Sequence, residues 1–148
     1  MFAEALAAWQ GKPGDFAAMG AALAAWRLND TGKALEQART ITAAAQWTVG
    51  RIFAYSLVYE IAMVGRDYPA AIETVESLMQ ARKAAYAARQ DTVPEQPVEY
   101  EWLVRAQIAA CRLDAAGATL TNGLRVFPNN RGLVVLTNQI ERARANCP

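Results

Sequence analysis

Few residues in this chain are equipped for chemistry, and their spacing points away from catalysis. Histidine is absent from the 148 residues. Glu60, Glu73, Glu76, Glu99 and Glu101 fall on helical segments, but none stands beside a nucleophile or a base. Glu73 and Glu76 share a helix face three residues apart, which is ordinary surface chemistry. Glycine-rich phosphate loops, nucleophile elbows and metal-ligand spacings are missing. A carboxylate-only hydrolase is the one enzyme class left, and it would need a solvent-exposed acidic cleft. The expectation is a protein with no catalytic residue, no cofactor and no bound metal.

The two cysteines, Cys111 and Cys147, do not form a CxxC pair or part of a metal set. They are two independent thiols, or a disulfide if the protein is exported. Asn29-Asp30-Thr31 is formally a glycosylation sequon, a triplet that arises often by chance.

Charge is balanced, at 15 basic against 14 acidic residues. Nucleic-acid binding needs a basic footprint, so it is not expected. The densest basic group, Arg82-Lys83 with Arg89, reads as a solvated helix face. No apolar run reaches the roughly 18 residues of a membrane span. The opening MFAEALAAWQGKPGD carries an early acid and lacks a basic region, so it does not read as a signal peptide. Localisation stays open, with a lean to the cytoplasm and with export if a leader was removed.

The elements that must position these side chains are helical. Alanine supplies 32 of the residues. It is the best helix former and the smallest side chain with a Cβ, so its excess favours closely packed helices over a core of large side chains. Eight helices are expected: Phe2 to Gln10, Asp15 to Leu28, a third capped by Asp30 or Thr31 and reaching Ala45, Thr48 to Val64, one opened by Asp67 and running to Arg89, Val98 to Arg112, Asp114 to Phe127, and Gly132 to Ala145. Asp91 to Pro97, with two prolines, is the longest loop, either ordered and extended or mobile. The tail Asn146-Cys147-Pro148 reads as frayed. Short turns make neighbouring helices antiparallel, so the chain is a series of αα-hairpins.

One stretch carries a spacing of its own. Leu113, Ala116, Leu120 and Pro128 lie at the positions of a second repeat helix, and Tyr100 and Leu103 take the large positions of the helix before it. With these residues the chain resembles the tetratricopeptide repeat family. Val104 stands where that family prefers glycine, and Gly123 where it prefers alanine. A second copy has Asp67-Tyr68 before Ala71-Ile72, with Tyr55 and Val58 upstream and Lys83 in place of the closing proline. A third has Thr31, Ala34-Leu35 and Ala38, with Ala18 and Ala21 upstream. The anchor alanines Ala34, Ala71 and Ala116 are 37 and 45 residues apart, against about 34 in the ideal repeat.

The resemblance implies an all-α fold of antiparallel αα-hairpins stacked as a short right-handed solenoid. Three irregular repeats would span 15–48, 52–90 and 97–130, with a C-terminal capping helix at 131–146. All 148 residues would form one domain, either whole or a fragment of a longer protein. Leu133, Leu136 and Ile140 would face inward on the cap, and Arg131, Glu141, Arg142 and Arg144 outward. The first helix would be the second half of a missing hairpin, or a true start packed on the first pair.

In the resembled family the first helices of each hairpin line a groove that grips a peptide or a partner helix. Carried over, the groove positions are Val98, Glu101, Trp102, Arg105 and Ile108, then Phe53, Ser56, Leu57, Glu60 and Met63, then Phe16, Met19, Leu23, Trp26 and Arg27. Glu101-Trp102 with Arg105 is the candidate hot spot. Trp102 and Trp26 could instead fill the core between hairpins. Trp9 and Trp47 read as core plugs, and Tyr55 with Tyr59 as inter-helix packing. The function implied is a non-enzymatic scaffold for a protein or peptide partner. The alternative is a structural or secretion-assembly subunit that oligomerises through its solenoid ends, or docks on a neighbouring domain of the same chain.

Overall fold

The computed structural model describes residues 15–44 and 46–148. Among them are seven α-helices and no strand: α1 (Asp15–Arg27), α2 (Thr31–Thr42), α3 (Val49–Val64), α4 (Tyr68–Ala87), α5 (Pro97–Ala109), α6 (Leu113–Val126) and α7 (Arg131–Arg144). The expected helix at Phe2 to Gln10, with Trp9, lies outside the described residues. The other seven expectations match in number and order.

Local hydrogen bonds set the helix starts. The side chains of Asp30, Thr48, Asp67 and Asn130 accept from the backbone N–H of Lys33, Arg51, Ala70 and Leu133, at 3.1, 3.1, 3.2 and 3.0 Å. Each satisfies one amide that a helix start leaves unpaired. Pro69 and Pro97 sit in first turns, where the missing N–H costs nothing.

One turn conformation recurs three times. Asn29, Arg66 and Cys111 have φ of 63°, 60° and 54°. Each is followed by a residue near φ −90° and ψ +70°, namely Asp30, Asp67 and Arg112. In the first and third turns the helix end is closed by a long-range amide bond, Asp30 N–H to Ala25 C=O at 2.9 Å and Arg112 N–H to Gln107 C=O at 2.8 Å. That is the closure of a Schellman-type cap. Five residues after each left-handed position comes an anchor alanine: Ala34, Ala71 and Ala116 have no exposed surface.

The chain divides at Gly65–Arg66 into two compact units. In the first, α2 packs on α1 and α3, and α1 also meets α3. Five of the nine residues of its core cluster are alanine: Ala22, Ala25, Ala34, Ala38 and Ala54, beside Ile41, Leu57, Val58 and Ile61. Here the expected close approach of alanine faces is what is found. The Arg51 side chain ties the end of α2 to α3, donating from Nε to the Thr42 carbonyl at 2.9 Å. Its guanidinium lies 5.7 Å from the Trp47 ring centre and 6.0 Å from that of Tyr55. Tyr55 and Tyr59 are both buried, as expected.

The second unit is built differently. α5 packs on α4, α6 and α7, and α6 packs on α7. Its core cluster is Tyr100, Val104, Leu120, Leu133, Leu136 and Ile140, with Ala116 the one alanine. Large side chains fill this core, against the composition-wide expectation, because alanine is absent from the sequence between Ala118 and Ala143. Leu133, Leu136 and Ile140 point inward on α7, while Arg131, Glu141, Arg142 and Arg144 are exposed.

The C-terminal tail is tied down and not frayed. Cys111 and Cys147 are joined in a disulfide, with their Cα atoms 5.5 Å apart. The backbone N–H of Cys147 also donates to the Ala143 carbonyl at 2.9 Å. The bridge closes a loop that contains all of α6 and α7, so it restricts the unfolded chain. Cys147→Ala is therefore expected to lower unfolding free energy by about 4 kcal/mol, on the chain-entropy scaling for a loop of 36 residues. Urea titration checks this, and an unchanged midpoint would show that the bridge does not form.

Gly123 explains a departure from the repeat pattern. A Cβ there would stand 3.0 Å from Tyr100 Cγ and 3.1 Å from Tyr100 Cβ. Tyr100 takes the room that the usual alanine would need. A Cβ on Gly117, one and a half turns earlier, meets nothing within 4 Å. Gly117→Ala is expected to raise stability by about 1 kcal/mol through helix propensity. Gly123→Ala is expected to lower it by about 1–2 kcal/mol, because the crowding outweighs that gain. Thermal melts of the two variants give the comparison.

Candidate interaction surface

α5 presents each of its sides to something different. Glu99, Tyr100, Leu103, Val104, Ala106 and Gln107 are buried. Ile108 packs against the core cluster of the second unit. Glu101 leans on the start of α7: a Cβ on Gly132 would overlap its carboxylate. A carboxylate there faces the positive end of the α7 dipole. So two of the five expected groove residues on this helix, Glu101 and Ile108, turn toward α7 and its core.

The other three share an outer stripe. Val98 and Arg105 are exposed and Trp102 is half-buried. Their spacing of four and then three residues puts them on one helix face. The face carries an apolar edge, an indole and a cation, a composition suited to a partner surface.

In the first unit the expected residues also divide. Phe53 is 54% exposed and Glu60 is exposed, seven residues on along the same face. Met63 and Ser56 are half-buried. Leu57 is 4% exposed and belongs to the core cluster, so it is a packing residue and not a groove contact. Met19 and Trp26 pack on the same core, which settles the core role for Trp26. Leu23 and Arg27 are exposed. Phe16 has no described side chain.

Behind α5 lies an ionic node that the sequence did not announce. Arg82, expected on a solvated face, is 5% exposed. Its Nε donates to Glu99 Oε1 at 2.5 Å and its Nη1 to Asp91 Oδ2 at 2.6 Å. Asp91 Oδ1 accepts the backbone N–H of Thr92 at 2.6 Å, which turns the chain into the 91–97 loop. Lys83 reaches Glu95 at 3.2 Å, and the Tyr100 hydroxyl donates to the same Glu95 Oε1 at 2.7 Å. The loop is thus ordered, held by α4 on one side and α5 on the other. Of the basic group read as solvated, Lys83 and Arg89 are exposed and Arg82 is not.

The titrating groups respond to burial in opposite ways. Burial pushes the Glu99 carboxyl above the usual carboxylate range, although Arg82 pulls it down. The cause is visible in its two oxygens, since Oε2 is buried without a hydrogen-bond partner. The Tyr100 hydroxyl pulls Glu95 below that range, helped by Lys83. Tyr100 itself is pushed up to about 12, first by burial and then by Glu95. No cluster among the described residues could hold a metal ion. No described helix is long and apolar enough to cross a membrane.

Comparison with known protein families, with curated proteins and with solved structures finds no match.

Arg82 pairs with the buried Glu99 and the part-buried Asp91, so removing it leaves the Glu99 carboxyl buried without that charge. Arg82→Ala is expected to cost about 3–5 kcal/mol. Lys83→Ala, whose side chain is 56% exposed, is expected to cost under about 1 kcal/mol. Paired urea titrations test the contrast, and equal losses would show that burial does not set the worth of these charges.

Proposed function

We propose that this protein is a non-enzymatic interaction scaffold in which α5 presents a recognition stripe to a peptide or a partner helix. The stripe of Val98, Trp102 and Arg105 carries the reading. Three neighbouring helices fix α5 in place, so the stripe is presented without an ordering cost on binding. An indole beside an exposed guanidinium offers an apolar seat and an anion contact side by side. Two antiparallel pairs joined by the recurrent turn, α1 with α2 and α5 with α6, support a likeness to the hairpins of the tetratricopeptide repeats. Phe53 and Glu60 offer a second exposed stripe on α3. The disulfide supports residence in an oxidising compartment, against the cytoplasmic lean of the sequence.

The test is selection of peptides from a random display library on the intact protein, followed by titration of the strongest binder. Trp102→Ala and Arg105→Glu are each expected to weaken that binder about thirtyfold, the effect of losing a hot-spot residue worth about 2 kcal/mol. The far-ultraviolet helix signal should stay native. Unchanged affinity in both folded variants would place recognition elsewhere.

A further inference from the structure

The outer side of α6 and α7 carries a groove that lies away from the α5 stripe. Its floor is Gly117, Leu120, Leu124 and Ile140, and its volume is about 300 Å³. Its rim is polar, with Thr137, Glu141 and Arg144 on the α7 side, while the Thr121 hydroxyl is spent on the Gly117 carbonyl at 2.9 Å. The space exists because Gly117 has no side chain and nothing stands within 4 Å of where a Cβ would be.

Beside this groove α7 bears a fully exposed stripe. Arg131, Val134, Asn138 and Glu141 are all exposed and follow one another at three, four and three residues. Val134 is 51% exposed and Val135 is 52% exposed. Arg131 stands at one end of the stripe and Glu141 at the other. Glu141 has only an exposed contact with Arg144 at 3.4 Å, one turn along the same helix.

We propose that this face binds a second copy of the chain, with two α7 helices antiparallel about a two-fold axis that crosses the exposed stripe midway between Val134 and Asn138. Such an axis sets residue i opposite a partner residue whose number sums with it to 272. Arg131 then meets Glu141 of the second copy, and the pair occurs twice by symmetry. Val134 stands opposite Asn138, at the edge of the other copy's groove, where its side chain can enter the space over Gly117. A knob and a hole on one surface fill each other simultaneously, which is what an isologous interface requires. The charge order along α7 favours this antiparallel pairing, because a parallel pair would set Arg131 against Arg131.

The experiment is sedimentation velocity on the intact oxidised protein from micromolar to millimolar concentration. A reversible monomer–dimer equilibrium is expected. Gly117→Leu should fill the groove from its own side and weaken the dimer about tenfold or more, a loss of about 1.4 kcal/mol, while the monomer melts no lower. Val134→Lys should act in the same direction. Arg131→Glu should weaken the dimer, and Arg131→Glu with Glu141→Arg should restore it. A monomer at every concentration overturns the proposal. So does a dimer that Gly117→Leu and Val134→Lys leave unchanged, or a charge swap that restores nothing.

Discussion

Three helices in this chain begin in the same way: a residue with positive φ, a residue near φ −90°, and five residues past the first an alanine with no exposed surface. At Asn29 and Cys111, each inside one unit, the left-handed residue reverses the chain within two positions, folding α2 back on α1 and α6 back on α5. A reversal that tight leaves no room for more than a methyl group on the first turn of the helix that follows. Asn29 takes the left-handed conformation readily, but Arg66 and Cys111 do so against their own preference, at about 1 kcal/mol each. The chain holds that conformation at residues ill-suited to it, so the turn geometry constrains the fold more strongly than local preference does. The Cys111 side chain is aimed at Cys147 from this position, so the same turn that starts α6 also anchors the tail beyond α7.

The Arg82 node does comparable work past the end of α4, where Arg89 takes the same left-handed conformation at φ 60° and Gln90 N–H closes on the Ala85 carbonyl at 2.8 Å, but a long loop follows in place of a helix. Between α4 and α5 the chain runs through a long loop with two prolines, which cannot hold itself by helix-cap bonds. Arg82 is placed to bond Asp91 at the loop's start and Glu99 just past its end, and Glu95 is shared between Lys83 and Tyr100 in its middle. Burying these charges is costly, and the unpartnered Glu99 Oε2 shows that the cost is not fully offset. A well-packed apolar trio could be as stable. What the ionic trio supplies is direction, since a guanidinium fork donates to its two carboxylates only at set angles. The loop is thereby fixed, and with it the position of α5.

Much of this was legible in the sequence, and what was legible shares a cause. Asp30, Thr48, Asp67 and Asn130 cap amides only three residues away, so their chemistry is visible in a short window. The anchor alanines were picked out through the repeat resemblance, and the turn that stands five residues before each came only with the structure. Arg82 was misread because its partners lie nine and seventeen residues on, across a loop that local reading cannot close. Leu57 was expected in a groove only through the family resemblance, and that resemblance does not show how α1 and α2 close over it. The disulfide stayed open because spacing alone does not say that two helix ends meet. Glu101 and Trp102 are neighbours in sequence, yet a rotation of about 100° between them sends one to Gly132 and leaves the other on the outer face.

The number of neighbours around a helix explains why the two surfaces differ. α5 has α4, α6 and α7 around it, so little of its circumference is left, and that strip can hold a half-buried indole at small cost in exposed apolar area. α7 has α5 and α6 beside it within its unit, one neighbour fewer than α5, so more of its circumference remains. A face that broad must be largely polar to stay in water, and Arg131, Asn138, Glu141 and Arg142 make it so. Val134 and Val135 do not serve that end. Val134, exposed on the same stripe as Glu141 at the rim of the groove, is better accounted for by a partner than by solvation. The polar residues around it, ordered from Arg131 to Glu141, then give that partner its direction.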